Sequence, residues 1–121
     1  VNVIFHASGS TGLGVFEAAR TTGKLGIGVD ADQYSEAPGH VLTSMVKGID
    51  ESVFQAVKAV KEGTFTGGIQ QFGLAENGVG YVYDANNKAL IPDAVRATLN
   101  ALTADIIAGR ITVPSTRPGT K

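Results

Sequence analysis

Two strand-like segments near the start of the chain each end in residues that could hold a polar ligand. The first segment, 1–7, reads as a buried strand and leads into a small-residue turn, Ser8-Gly9-Ser10-Thr11-Gly12, that opens a helix. The second segment, 25–29, ends at Asp30. A glycine turn at a helix N-terminus presents unpaired backbone N–H donors, whereas a carboxylate presents acceptors. The two strand ends therefore predict complementary parts of one site.

Asp30 and the turn at Gly9 should be neighbours in space. Parallel strands joined by a helix place their carboxyl ends at the same edge of a sheet, and ligands of open α/β sheets bind outside that edge. We therefore predict a separation of less than about 10 Å between the two. A purely structural interpretation of the glycines, as residues that permit a tight turn with close packing, stays open beside the functional one.

The glycine order excludes two nucleotide-phosphate sites. Gly9, Gly12 and Gly14 form G-x-x-G-x-G, which is not the dinucleotide pattern G-x-G-x-x-G, and no lysine follows as a P-loop requires. Catalysis has no support either, because no Ser-His-Asp, paired-carboxylate or G-x-S-x-G pattern is present. We predict no catalytic residue and no cofactor, although an α/β enzyme with the turn at an oxyanion or phosphate site is kept as a third hypothesis.

Composition narrows the class of protein. A chain of 121 residues with 43% hydrophobic and 17% charged residues is typical of one soluble globular domain. The net charge of -1 gives no electrostatic reason to expect nucleic acid or an anionic membrane surface as a partner. No apolar run approaches the roughly 18 residues of a membrane span. The chain starts without Met and inside a strand pattern, which suggests a piece of a longer protein.

Metal and thiol chemistry are not expected. The absence of cysteine excludes disulfides, thiol catalysis and cysteine-ligated zinc. The two histidines, His6 and His40, are too few for a histidine-based metal site, and a lone histidine at a strand end is more often satisfied by local hydrogen bonds.

The element pattern β-α-β-β-α-β-β-α predicts an α/β fold with a parallel sheet and flanking helices. The first helix should end at Gly23, and the second should begin at Asp50 as its N-cap. Two glycine-rich segments within 67–83 predict a hairpin, or else a bend between subdomains. The tail 112–121 should be extended or frayed. The second helix, 49–63, carries an apolar stripe of Val53, Ala56, Val57 and Val60.

Four segments carry a resemblance to a known family. The chain resembles the C-terminal part of the basic membrane protein family of solute-binding lipoproteins, which includes purine nucleoside receptors of ABC transporters. Such proteins have the type I periplasmic-binding-protein fold, with two α/β lobes, a ligand in the cleft between them and three chain crossings. The segments are Val3-Ile-Phe-His-Ala-Ser-Gly-Ser-Thr-Gly12, Ile27-Gly-Val-Asp-Ala-Asp-Gln33, Val41-Leu-Thr-Ser-Met-Val-Lys47 and Gly73-Leu-Ala-Glu-Asn-Gly-Val-Gly80.

The resemblance implies a division of the chain between two lobes. Residues 1–40 and 67–111 would belong to the C-terminal lobe, whereas 41–66 would contain a hinge crossing and a helix of the N-terminal lobe. That helix would leave its apolar stripe without its native partner. Exposed apolar stripes seek another surface, which predicts a homodimer or larger assembly of the fragment.

The resemblance also implies a ligand site formed by Gly9, Asp30 and Lys47. In the resembled receptors the acid of the Gly-Val-Asp motif reads the ribose hydroxyls, and a carboxylate can accept two hydrogen bonds from a vicinal diol. Lys47 would face the cleft and pair with Asp30, and Gly9 would let the ligand approach the backbone. The alternatives are that Asp30 is a loop or capping acid and that Lys47 is a solvated surface lysine. Asp32 is expected to be a capping or solvated neighbour, and Gly12 to be structural.

The implied function is that of the substrate-binding component of an ABC transporter, which binds a purine nucleoside and delivers it to the permease. The full-length protein would be extracytoplasmic and lipid-anchored at the membrane, with its anchor outside this chain. The alternative is a regulatory or sensory protein with the same fold that signals to a partner. A signal peptide with a lipobox cysteine would favour the receptor, and its absence the regulator.

Overall fold

The computed structural model describes residues 1–114 and 116, which contain four strands and three α-helices. Two single turns of 3₁₀ helix, Gly9–Gly12 and Tyr34–Glu36, lie between them. The chain divides into two compact units, of which the second begins at Pro92. None of the described helices has the length and apolar character needed to span a bilayer. The elements are β1 Val3–Phe5, α1 Leu13–Thr22, β2 Leu25–Asp30, β3 Val41–Lys47, α2 Ile49–Lys61, β4 Val79–Tyr81 and α3 Asp93–Ile107.

One mixed sheet organises the first unit, with strand order β1-β2-β3-β4. β1, β2 and β3 run parallel, and β4 pairs with β3 in the antiparallel direction. The predicted α/β fold with a parallel sheet and flanking helices is confirmed. The register sets Phe5 opposite Ile27 and Asp30 opposite Val46, so the three parallel strands end at one edge.

The core of the first unit lies between α1 and the sheet. Phe16, Ala37 and Val41 form a buried cluster, and Tyr34 packs against it. α1 ends as predicted, because Gly23 adopts the left-handed conformation with φ 65° at the C-cap.

His6 lies beside this cluster and is buried, with a relative exposure of 4%. The imidazole stands edge-to-face on the ring of Phe16, with a centroid distance of 5.1 Å and an interplanar angle of 83°. Neither ring nitrogen has a hydrogen-bond partner. The expectation that local hydrogen bonds satisfy this histidine is therefore wrong, because the ring is packed as an aromatic group.

The buried ring of His6 explains why residue 12 is a glycine. A Cβ added at Gly12 would overlap the Cε1, Nδ1 and Nε2 atoms of His6. The structural role expected for Gly12 is thus confirmed, and the physical reason is the space that the buried imidazole needs.

Two strand predictions are corrected by the structure. β1 is short and exposed rather than buried, with Val3, Ile4 and Phe5 exposed to 38%, 44% and 56%, because it is an edge strand with one neighbour. The predicted hairpin within 67–83 is also wrong, because only Val79–Tyr81 forms a strand and its partner is β3. The chain before it closes a turn in which the Gly78 N–H donates to the carbonyl oxygen of Gly73, at 2.8 Å.

α2 begins one residue after Gly48, which occupies the N-cap position. The prediction that Asp50 caps this helix is wrong, since Asp50 lies inside its first turn and no side-chain cap bond is made. The valines of the apolar stripe are exposed, with Val53 at 57%, Val57 at 63% and Val60 at 62%. The lobe assignment of this helix and its packing against a second copy stay predictions.

The second unit contains α3, which starts directly after Pro92. Gly109 follows it with φ 70°. Most of the predicted extended tail, at 115 and 117–121, lies outside the described residues.

Replacing Gly12 by Ala should lower the free energy of unfolding by about 1 to 3 kcal/mol, because the new methyl group overpacks the space that His6 fills. The matched control is Gly14→Ala, two residues on in α1, where a Cβ meets nothing within 4 Å. That change should raise stability by about 0.5 to 1 kcal/mol through helix propensity. Urea unfolding followed by circular dichroism measures both, and equal effects of the two changes would contradict the packing role.

Candidate ligand-binding site

An ion pair joins the ends of β2 and β3. Lys47 Nζ lies 2.6 Å from Asp30 Oδ1, and the two side chains are 52% and 55% exposed. The pairing follows from the register, because Asp30 is opposite Val46 and Lys47 is the next residue of β3. A pair this exposed contributes little to folding stability, since water screens both charges. Its geometry matters more for what the carboxylate can bind.

Asp30 has an unusual backbone conformation. Its φ is 72°, in the left-handed region that Asp and Asn tolerate better than other non-glycine residues. The Ala31 N–H then donates to the carbonyl oxygen of Val29, at 2.9 Å, so the chain turns tightly around Asp30. This turn ends β2 and leaves the carboxylate at the edge of the sheet.

The three residues predicted from the sequence are brought together by the structure. Gly9, Asp30 and Lys47 line one small cavity of about 180 Å³. A larger cavity of about 440 Å³ shares Gly9 and Asp30 with the first and extends along the chain after β2. We call the two cavities together the strand-end cleft. Its further lining residues include Ala7, Ser10, Leu13, Val29, Asp32, Gln33, Glu36 and Met45.

Hydrogen-bonding groups of both kinds surround the strand-end cleft. At the start of the turn Gly9–Gly12, the Ser8 side chain makes no cap bond to the backbone donors of the turn. Asp30 supplies acceptors and Lys47 supplies donors on the other side. The arrangement suits a polar ligand that carries several hydroxyl groups, because such groups both donate and accept.

Asp32 has a local role, as the sequence predicts. Its Oδ1 accepts a hydrogen bond from the backbone N–H of Tyr34, at 3.0 Å, and so forms an Asx turn that leads into the 3₁₀ turn Tyr34–Glu36. Within the described part of the chain, no group of three or more His, Cys, Asp or Glu side chains could hold a metal ion.

Sequence reasoning missed two residues that support this site. Gln33 Oε1 accepts a hydrogen bond from the Val29 N–H at 2.8 Å, and the Gln33 N–H donates to Ser44 Oγ at 3.0 Å. Ser44 is fully buried on β3. The available signal was a serine in the middle of a mostly apolar strand, where a buried hydroxyl requires a hydrogen-bond partner.

Comparison with known proteins identifies the family. The Bmp family, described as ABC transporter substrate-binding protein PnrA-like, matches residues 1–117, and the chain belongs to this family. It is 36% identical over 118 residues to Basic membrane protein A of Borreliella afzelii, covering 94% of this chain and 35% of the relative. It is 38% identical to Basic membrane protein D of Borreliella burgdorferi, covering 94% and 34%. The chain thus spans about a third of the length of these relatives.

Solved structures show the same fold. A solute-binding protein of an ABC transporter system from Aeropyrum pernix superposes with a TM-score of 0.77 at 23% identity, covering 98% of this chain and 42% of that one. A transcriptional activator of the comK gene from Bacillus halodurans gives 0.77 at 24% identity, covering 88% and 37%. At these identities the likeness shows fold alone, and it confirms the predicted periplasmic-binding-protein-like class.

Asp30→Asn should leave the free energy of unfolding within about 1 kcal/mol of the wild type, because the ion pair is exposed and Asn tolerates the left-handed conformation. Asp30→Val should cost about 1 to 3 kcal/mol, since a β-branched side chain is strained at positive φ. Chemical unfolding of both variants at the same ionic strength tests this. Equal stability of the two would show that φ at this position is not held in the left-handed region.

Proposed function

We propose that the protein containing this chain is the substrate-binding component of an ABC transporter and that it binds a nucleoside, with purine nucleosides preferred. Family membership over residues 1–117 supports the solute-binding role. The observation that carries the ligand assignment is the Asp30–Lys47 ion pair, which lines a cavity together with Gly9. The role of these three residues in binding is part of the proposal.

In this proposal Asp30 accepts hydrogen bonds from both hydroxyls of the ribose diol. Lys47 holds one carboxylate oxygen, Oδ1, at 2.6 Å and so orients the acceptor before the ligand arrives. The same ammonium group has further N–H donors for a sugar oxygen. The open backbone at Gly9 lets the sugar approach closely. The base extends beyond the smaller cavity.

The proposal extends to the location and partners of the whole protein. Two relatives from Pyrococcus, each 39% identical over 85 residues, are named uncharacterized lipoproteins, and the match covers 65% of this chain and 21% of each relative. We infer an extracytoplasmic protein, anchored to the membrane by lipid, that closes on its ligand and delivers it to a permease. Catalysis is not part of the proposed function, because the family is described as substrate-binding.

A regulatory or sensory role is the alternative. One solved structure of the same fold is titled a transcriptional activator, but a 24% identity transfers the fold without the role. Uptake of labelled nucleoside by cells with and without the gene separates the two. Lost uptake supports transport, whereas unchanged uptake with altered transcript levels supports regulation.

Asp30→Asn in the complete gene product should weaken nucleoside binding by about 1.5 to 3 kcal/mol, because the hydrogen bonds to the diol lose their charged acceptor. Isothermal titration calorimetry with adenosine, guanosine, inosine and uridine measures the loss. The matched control is Asp32→Asn, which removes the same charge and keeps the acceptor for the Tyr34 N–H.

A ligand change makes the test specific. The wild type should bind 2′-deoxyadenosine more weakly than adenosine, and the Asp30→Asn variant should show a smaller difference between the two. Unchanged affinity of this variant for every nucleoside would refute the role of Asp30. Equal losses in Asp30→Asn and Asp32→Asn would point to a general charge effect.

A further inference from the structure

We propose that Gln33 and Ser44 are positioning residues that hold Asp30 in its binding conformation. The inference rests on the proposed function, because it concerns the carboxylate assigned there to the ligand. It names residues that need not touch the ligand and act through the backbone on either side of Asp30. We call the hydrogen bonds Val29–Gln33 and Gln33–Ser44 the clamp.

In the first bond of the clamp, Gln33 accepts from the Val29 N–H, a backbone donor that has no partner in the sheet. The carbonyl oxygen of Ile27 accepts from the His6 N–H on the β1 side, at 3.5 Å. Alternate residues of a parallel strand bond to the same neighbour, so Val29 also faces that side. β1 has already ended at Phe5. The side chain of Gln33 supplies the acceptor instead, with its Oε1 2.8 Å from the Val29 nitrogen.

The second bond fixes the far side of the turn. The backbone N–H of Gln33 donates to Ser44 Oγ at 3.0 Å. Ser44 lies in β3, opposite Gly28, and is fully buried. The two bonds therefore close the segment from Val29 to Gln33 on itself and join its end to β3, with Asp30 inside the segment.

Gly28 leaves the space in which the clamp forms. A Cβ at this position would lie 2.6 Å from Ser44 Oγ and 2.9 Å from Gln33 Oε1. Both distances are too short for a carbon atom, so any side chain here would displace the clamp. Packing thus requires a glycine at position 28, whatever its backbone conformation.

Asp30 needs such support because its conformation is costly. A non-glycine residue at φ 72° persists only where the surrounding structure determines it. With the clamp in place, the carboxylate is directed toward Lys47 before the ligand arrives. Without the clamp, ordering of Asp30 would oppose binding by its entropy cost.

A double-mutant cycle in the complete gene product tests the coupling. Gln33→Met keeps the shape of the side chain and removes the acceptor for the Val29 N–H. It should weaken adenosine binding about 3- to 10-fold, the net worth of one hydrogen bond. In the Asp30→Asn background the same change should have less effect than in the wild type, because the group being positioned has lost its charge. Gln33→Glu, which keeps an acceptor, should restore most of the affinity.

Gln55→Met is the control, since it makes the same change on the exposed surface of α2, outside the strand-end cleft and the clamp. It should bind adenosine as the wild type does. An equal loss for Gln33→Met in both backgrounds would mean that Gln33 touches the ligand directly, and this would overturn the positioning role. No loss in either background would overturn it as well. If Asp30→Asn itself has no effect, the proposed function fails first.

A readout without ligand keeps the proposal falsifiable if Gln33→Met is too unstable to titrate. Amide hydrogen exchange at Val29 should be slow in the wild type and in Gln33→Glu, and faster in Ser44→Ala, which removes the second bond of the clamp. Unchanged exchange at Val29 in Ser44→Ala, together with unchanged adenosine affinity, would refute the clamp.

Discussion

Parallel pairing of β2 with β3 sets Asp30 opposite Val46, and the candidate site depends on this register. It makes Lys47 the neighbour of the carboxylate, and the parallel pairing of β1 with β2 brings the end of β1, with the turn at Gly9, to the same edge. A shift by one residue would turn each of these side chains to the other face of the sheet. The buried cluster around Phe16 and Val41 stabilises the register, so the core holds the geometry that the exposed edge uses.

The charged residues of the candidate site contribute little to the stability of the fold. The Asp30–Lys47 pair is about half exposed and adds little to the fold, whereas the fully buried Ser44 lies one strand away. A carboxylate at such an edge stays accessible to a ligand and still has a defined direction. The strain at φ 72° is confined to one residue whose side chain bears the charge. This is the arrangement expected where conformational cost supports a site rather than the core.

Several features of the fold could not be predicted from the local sequence pattern. The sequence pattern predicts that β1 is buried, but the strand is exposed. Burial depends on the number of neighbouring strands, which three apolar residues do not encode. The segment before β4 has the composition of a strand, yet its backbone closes a turn on Gly73, and β3 takes Val79–Tyr81 as its partner. The buried ring of His6 without hydrogen bonds could not be foreseen, since Phe16 reaches it only through packing of α1.

Apart from one strand wrongly predicted within 67–83, sequence alone determined the order of strands and helices, the parallel sheet, the family, and the meeting of Gly9 with Asp30. The physical reason is that parallel connectivity dictates which strand ends share an edge, whatever the side chains are. Only the tertiary structure decided the left-handed conformation of Asp30 and the bonds of Gln33 to Val29 and Ser44. Ser44 belongs to a strand that begins eleven residues after Asp30, and hydrogen bonds across such a separation exist only once the sheet has formed.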